Sequence, residues 1–187
     1  YFDFVAKEVP EVCARYFSLS RERSGKFVAG LSMGGYGALK IGLALPEEFS
    51  VVGALSAGCD RLGILPEAVR AVPDIATLRA NRARFSPADY DRGMQFFLNF
   101  GSPAEFEQND ADNLFRLAEK AKAGGAALPK LILRCGTEDT LALGPNRRFK
   151  AHLDALGIAC DYAEFPGTHS WAFWDEHIQY VLENLPV

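Results

Sequence analysis

Cysteine is scarce and scattered in this 187-residue chain: Cys13, Cys59, Cys135 and Cys160 form neither a C-x-x-C pair nor a Cys/His ligand spacing. That argues against a disulfide framework and against a bound metal. It leaves four small apolar side chains suited to a reducing compartment such as the cytoplasm. Long apolar runs are also missing. None approaches the roughly 18 to 20 residues that a membrane span needs, and no charged-then-apolar leader precedes the first helix-like segment, so no membrane partner is expected. Positive charge is not in excess: 20 Lys and Arg stand against 24 Asp and Glu, a formal net charge of −4. The densest basic patch, Arg147, Arg148 and Lys150, shares a helix-like run with Phe149 and Leu153 and reads as a solvated helix face. Nucleic acid is therefore not an expected partner either. Histidine is rarest of all, with three residues, so any chemistry that needs an imidazole has few places to find one.

What is present is apolar and ordered. Hydrophobic residues make up 49% of the chain and charged residues 24%, the balance of one globular domain spanning residues 1–187 with a sizeable core. The chain starts at Tyr1, directly in a segment whose Val5, Val9, Val12 and Tyr16 suit an amphipathic helix, which reads as a start in mid-fold. Pro10 lies inside that pattern and should kink it, because it removes a backbone donor and clashes one turn back. From residue 26 onward, strand-like and helix-like runs alternate, the signature of a mostly parallel sheet flanked by helices, an α/β class. Four strands are predicted at Lys26 to Leu31, Ser50 to Leu55, Lys130 to Cys135 and Asp161 to Phe165. Helices are predicted at Gly35 to Leu45, Pro145 to Leu156 and Trp171 to Asn184. Residues 60–127 break the rhythm. They read as a helical insertion between the second and third strands, placed where it could cap a pocket. Its Phe96, Phe97, Phe100 and Phe106 fit a private core and a substrate wall equally well.

The most informative stretch is Gly30-Leu31-Ser32-Met33-Gly34, a G-x-S-x-G run between a predicted strand and a predicted helix. In a nucleophile elbow the serine occupies a strained strand-to-helix turn, and glycine at the flanking positions removes collisions with neighbouring backbone. A serine hydroxyl is a poor nucleophile at neutral pH, so it needs a base within hydrogen-bond reach and a third group to hold that base. His152 and His177 fall inside helix-like runs, whereas His169 follows Phe165-Pro166-Gly167-Thr168, after the last strand and before the last helix. Strand C-terminal ends are where α/β enzymes gather catalytic groups, which makes His169 the base. The orienting acid should stand between serine and histidine in chain order. Cys135-Gly136-Thr137-Glu138-Asp139 offers two carboxylates after the third strand, with Asp139 the choice and Glu138 the fallback; Asp60 and Asp175 are weaker rivals.

Three segments together, Gly-Leu-Ser-Met-Gly-Gly-Tyr-Gly-Ala-Leu around Ser32, Cys-Gly-Thr-Glu-Asp, and Pro-Gly-Thr-His-Ser-Trp followed by Phe-Trp, resemble the esterase D group of α/β-hydrolases. That group includes tributyrin and acetyl esterases, S-formylglutathione hydrolases and feruloyl esterases, and the resemblance spans nearly the whole chain. It implies Ser32 as nucleophile, His169 as base and Asp139 as acid. It selects Asp139 over Glu138 because the family's acid stands three residues after the glycine. It also implies a serine carboxylesterase that splits small or short-chain acyl esters through an acyl-enzyme, without cofactor or metal. Tyr36 stands where S-formylglutathione hydrolases tend to carry histidine, which tilts the reading towards simple carboxylesterases. Thioester hydrolysis needs no more than the same triad, and a non-catalytic binding module retaining the fold is the alternative from another class.

The Met33 N–H, just after the nucleophile at a helix start, is placed to be one oxyanion donor. The second comes, in α/β-hydrolases, from a loop well before the serine, and this chain has no such strand and loop. The four strands therefore read as the C-terminal portion of the fold. The Ser32 strand, as apolar as Phe27-Val28-Ala29, would then need a neighbour. The expected partners are a small-molecule ester and an N-terminal complementary fragment or chain, and self-association into a homo-oligomer stays open. Trp171, two residues after His169, is a weaker expectation as part of the substrate wall, with Phe173 and Trp174 fitting core and wall alike.

Overall fold

The computed structural model describes residues 1–186. Its four strands, β1 (Phe27–Leu31), β2 (Val51–Leu55), β3 (Lys130–Gly136) and β4 (Cys160–Phe165), form one parallel sheet in the order β1-β2-β3-β4. Sequential parallel order requires every connection to cross a face of the sheet, and helices do this. α2 (Met33–Ala44), α7 (Leu114–Ala123) and α8 (Leu143–Ala155) pack on one face, and α9 (Trp171–Glu183) packs on the other.

Side-chain alternation along the strands sorts the two cores. Val52, Ala54, Leu131 and Leu133 point to the α2, α7 and α8 side, where Leu39, Leu43, Phe149 and Leu153 are sealed from solvent. Val51, Leu55 and Ile132 point to α9 and meet Phe173, Trp174 and Val181. Two-sided burial explains why these strands read as continuous apolar runs rather than alternating ones. Both faces close tightly on glycine: a β carbon on Gly42 of α2 would lie 2.2 Å from Val52 Cγ2, and one on Gly53 would lie 2.5 Å from Val181 Cγ1 of α9. Arg134 is the exception in the sheet, a buried cation that donates to the Asp161 carbonyl and carboxylate and lies 4.1 Å below the Tyr180 ring. Tyr180 Oη in turn donates to Asp161, so the charge is paired and β3, β4 and α9 are joined by one network.

At the start of the chain, a π-helical stretch (Phe4–Glu8) runs into α1 (Val9–Tyr16). The Val9 N–H reaches back five residues to the Phe4 carbonyl, one residue before Pro10 removes a donor from the ladder. The kink expected at Pro10 thus takes the form of a widened helical turn. The apolar stripe Phe4, Val5, Val9, Val12 and Tyr16 is exposed, and β1 lies at the open edge of the sheet among the described residues.

The stretch 60–127 divides in two. α3 (Glu67–Arg70), α4 (Ile75–Ala80), α5 (Pro87–Phe100) and α6 (Pro103–Glu107) gather around their own aromatic clusters. These are Leu65, Val69, Phe96 and Phe106 in one, and Val72, Leu78 and Phe97 in the other. α7 instead belongs to the main core, where Leu114, Leu117, Ala118 and Ala121 face α2 and α8. The insertion is therefore shorter than 60–127, and its last helix is an ordinary crossover between β2 and β3. No helix among the described residues is long and apolar enough to cross a membrane.

Candidate active site

Ser32 ends β1 and caps α2 with φ 52° and ψ −116°, a backbone conformation that non-glycine residues rarely hold. The turn is fixed from both sides. The Ser32 N–H donates to the Leu55 carbonyl at 2.8 Å, and the Ser32 carbonyl accepts from Tyr36 N at 3.1 Å and Gly58 N at 3.0 Å. Gly30 is required: a β carbon on it would lie 2.3 Å from the backbone of Gly34. On Gly34 a β carbon would meet open space. The second tight glycine is Gly35, whose β carbon would lie 2.8 Å from that of Ala57. Strand and helix thus close against each other only because two backbones touch where side chains would stand.

The loops after β3 and β4 arrive at the same point. His169 Nε2 lies 2.9 Å from Ser32 Oγ, and His169 Nδ1 lies 2.8 Å from Asp139 Oδ2. A carboxylate only accepts, so Nδ1 carries the ring proton and Nε2 is left as the acceptor of the Ser32 hydroxyl. Asp139 is 1% exposed, and its Oδ1 accepts the N–H groups of Leu141 at 3.1 Å and Ala142 at 2.9 Å. That leaves Oδ2 committed to the imidazole.

Glu138 turns the other way and pins the histidine loop. Its carboxylate accepts the Gly167 N–H, its own N–H donates to the Gly167 carbonyl at 3.0 Å, and the Thr137 N–H donates to the Phe165 carbonyl at 2.8 Å. Asp60 binds Arg148 and the Gly63 N–H, and Asp175 lies in α9; neither approaches the histidine. His152 contacts the Phe115 carbonyl, and His177 is buried between the Phe165 and Phe173 rings. Burial holds the His177 pKa below the usual histidine range.

The Met33 side chain is 75% exposed, while its N–H belongs to the first turn of α2, whose donors have no intrahelical partner. The N–H is thus a donor one residue after Ser32, at the positive end of a 12-residue helix. Trp171 is 73% exposed and meets Trp174 edge-on at 5.5 Å; Trp174 meets the His169 ring edge-on at 4.9 Å. Of the three aromatic residues after His169, Phe173 and Trp174 are core and Trp171 faces solvent. Three of the four cysteines, Cys59, Cys135 and Cys160, are held as thiols and are poor rivals as nucleophile. All four are unpaired, burial raises Cys59 well above the ordinary thiol range, and Cys135 and Cys160 are pushed up to about 12. A cleft of about 930 Å³ opens at the opposite end of the sheet beside Lys130, Leu131, Cys160 and Asp161, and holds no paired nucleophile and base.

Arg61 went unnoticed in the sequence. It lies in the loop after β2, and no periodicity or motif marks it. A β carbon on Gly58 would lie 3.4 Å from Arg61 Nη1 and 3.9 Å from the Ser32 carbonyl, which puts the guanidinium beside the elbow.

The Esterase family model matches residues 1–184. An acetyl esterase of Caldicellulosiruptor saccharolyticus is 30% identical over 184 residues, covering 98% of this chain and 63% of that protein. An S-formylglutathione hydrolase of Staphylococcus aureus superposes with a TM-score of 0.75 at 24% identity, covering all of this chain and 64% of the other. A substrate-bound, fluorophosphonate-binding serine hydrolase of the same organism gives 0.70 at 26% identity, again over all of this chain and 64% of that one. The chain thus spans just under two thirds of the length of these relatives.

Proposed function

Because the chain belongs to the Esterase family, we propose that it carries the catalytic portion of a serine carboxylesterase acting on small or short-chain acyl esters. The observation that carries this reading is the unbroken hydrogen-bond line from Asp139 through His169 to Ser32, with the serine on a strained elbow. The acetyl esterase relative supports a short acyl group. Ser32 Oγ attacks the ester carbonyl while His169 Nε2 takes its proton. The imidazolium, held by Asp139, then gives that proton to the leaving alcohol, and water repeats the cycle on the acyl-enzyme. Met33 N–H is one donor to the tetrahedral oxyanion, and Trp171 forms part of the wall around the leaving group or acyl chain. The open edge of β1 and the exposed stripe on α1 support a further reading: in the working protein another strand lies along β1, and with it comes the second oxyanion donor.

The test is stoichiometric labelling by a fluorophosphonate together with turnover of 4-nitrophenyl esters of rising acyl length. The expected result is labelling that disappears in Ser32→Ala and turnover that falls off beyond short acyl chains. Labelling that persists in Ser32→Ala would move the nucleophile to another residue, and an unlabelled protein with its complementary segment present would leave the fold as a binding module.

A further inference from the structure

Arg61 has neither a hydrogen bond nor an ion-pair partner among the described residues, although five N–H donors and a full charge are drawn into a half-buried position. The nearest features are neutral. The guanidinium carbon lies 5.7 Å over the Phe100 ring, and the backbone of Gly58 runs alongside. Gly58 is also the residue whose N–H holds the Ser32 carbonyl, so the cation flanks the residue that anchors the Ser32 backbone. The neighbouring carboxylates are engaged elsewhere: Asp60 with Arg148 and Gly63, Asp112 with Lys40 and Asn109. An unpaired, partly desolvated guanidinium is costly to keep unless something supplies the missing anion. Burial is in fact the main influence on Arg61, lowering its pKa from the ordinary arginine value.

We propose that Arg61 is a specificity-determining residue that binds a carboxylate carried by the substrate, so that the esters preferred are those bearing a negative charge a few atoms from the scissile carbonyl. This rests on the ester-hydrolase reading for its substrate class. The planar fork matches a carboxylate in two parallel hydrogen bonds. The Phe100 ring lies within cation–π range of the guanidinium and supports one side of it. The carboxylate belongs either to the acyl half or to the alcohol half of the ester, and the two are separable by experiment.

The test uses the whole natural polypeptide and matched pairs of esters. For the acyl half these are the 4-nitrophenyl half-esters of succinic, glutaric and adipic acids beside their methyl-capped neutral partners. For the alcohol half they are 3-acetoxybenzoate beside its methyl ester. At least one pair is expected to favour the anion by about tenfold or more in kcat/KM, mostly through KM, the scale of a hydrogen bond to a charged group. Arg61→Gln should collapse that ratio towards one, Arg61→Lys should keep part of it, and added salt should erode it. An unchanged ratio in Arg61→Gln, or equal losses for both members of every pair, would overturn the proposal and leave Arg61 as packing for Phe100.

Binding to Ser32→Ala, measured by calorimetry with the same pairs, separates the two readings. Failure of wild type to exceed Ser32→Ala in turnover refutes the hydrolase. Equal affinity of Ser32→Ala for anion and neutral partner refutes the role of Arg61.

Discussion

The sheet with its flanking helices and the excursion from Leu65 to Phe106 meet above the strand ends, and they are held together by different means. In the sheet region, Leu39, Leu131, Leu133, Phe149 and Leu153 are closed from water on one face, and α9 seals the other. In the excursion the helices are short, the apolar clusters are small, and much of the definition comes from caps. The Asp74 carboxylate accepts Thr77 N–H at 2.7 Å, Ser86 accepts Asp89 N–H at 3.1 Å, and Ser102 and Glu105 form a reciprocal capping box. Ser32, His169 and Asp139 all stand on the first region, while Phe100 belongs to the second and meets Tyr36 of α2 and Arg61 of the loop that joins the two. Reacting atoms need placement within a fraction of an ångström, which dense packing supplies. Substrate preference tolerates a more loosely held wall.

The sharpest way to break this comparison is to remove a reacting group. Ser32→Ala or His169→Ala is expected to lower kcat by about 10⁴-fold or more, and the double variant should be no worse than the singles. Additive losses in steady-state kinetics would show that the two side chains do not act as a unit. Asp139→Asn should come next, at about 10³- to 10⁴-fold, because an amide can present the wrong partner to Nδ1. Glu138→Gln, which only touches the loop backbone at Gly167, should cost far less. A Glu138→Gln loss equal to that of Asp139→Asn would mean that loop position limits catalysis as much as imidazole orientation does.

Packing tests the same contrast. Phe149→Ala, at a site with no solvent exposure, is expected to cost about 3–5 kcal/mol in denaturant unfolding. Phe106→Ala should register first as faster proteolysis within the excursion, with a smaller loss of global stability. A common, equal loss would make the two regions one cooperative unit. The smallest effect concerns His177. Its folded pKa lies below the unfolded value because burial disfavours the imidazolium, so the unfolded chain binds the proton more readily. Stability should therefore rise with pH through the interval between the lowered folded pKa and the ordinary histidine value of about 6.5, and fall as pH drops through it. His177→Phe should flatten the dependence of Tm on pH in that interval.

Much of this was legible in the residues. Each of the four strands lies within a residue or two of its expected bounds, since two-sided burial writes long apolar runs between turn signals. The order of Ser32, Asp139 and His169 along the chain, each after a strand, was legible for the same reason. The end of the excursion is not legible in the residues. α7 shows the same helical spacing as its neighbours, and only its contacts with α2 and α8 assign it to the main core. Its flanking caps were signals that went unused: Ser86-Pro87 and Ser102-Pro103-Ala104-Glu105 each announce a helix start. The elbow glycines were half understood. Gly30 is required by the close approach of the Gly34 backbone, but the second position that must lack a β carbon is Gly35, against Ala57, and not Gly34.

By itself the sequence determined the class of fold, the elbow, and which serine, histidine and carboxylate could act, because local pattern and strand-end position are encoded residue by residue. The tertiary structure shows how the two neighbouring carboxylates divide: Asp139 lies against the His169 imidazole, and Glu138 turns away to the Gly167 N–H. It alone placed Arg61 beside Ser32, through a contact between a loop after β2 and the end of β1. Nothing in the spacing of two residues separated by a helix and a strand records such a meeting; it exists only once the sheet has formed.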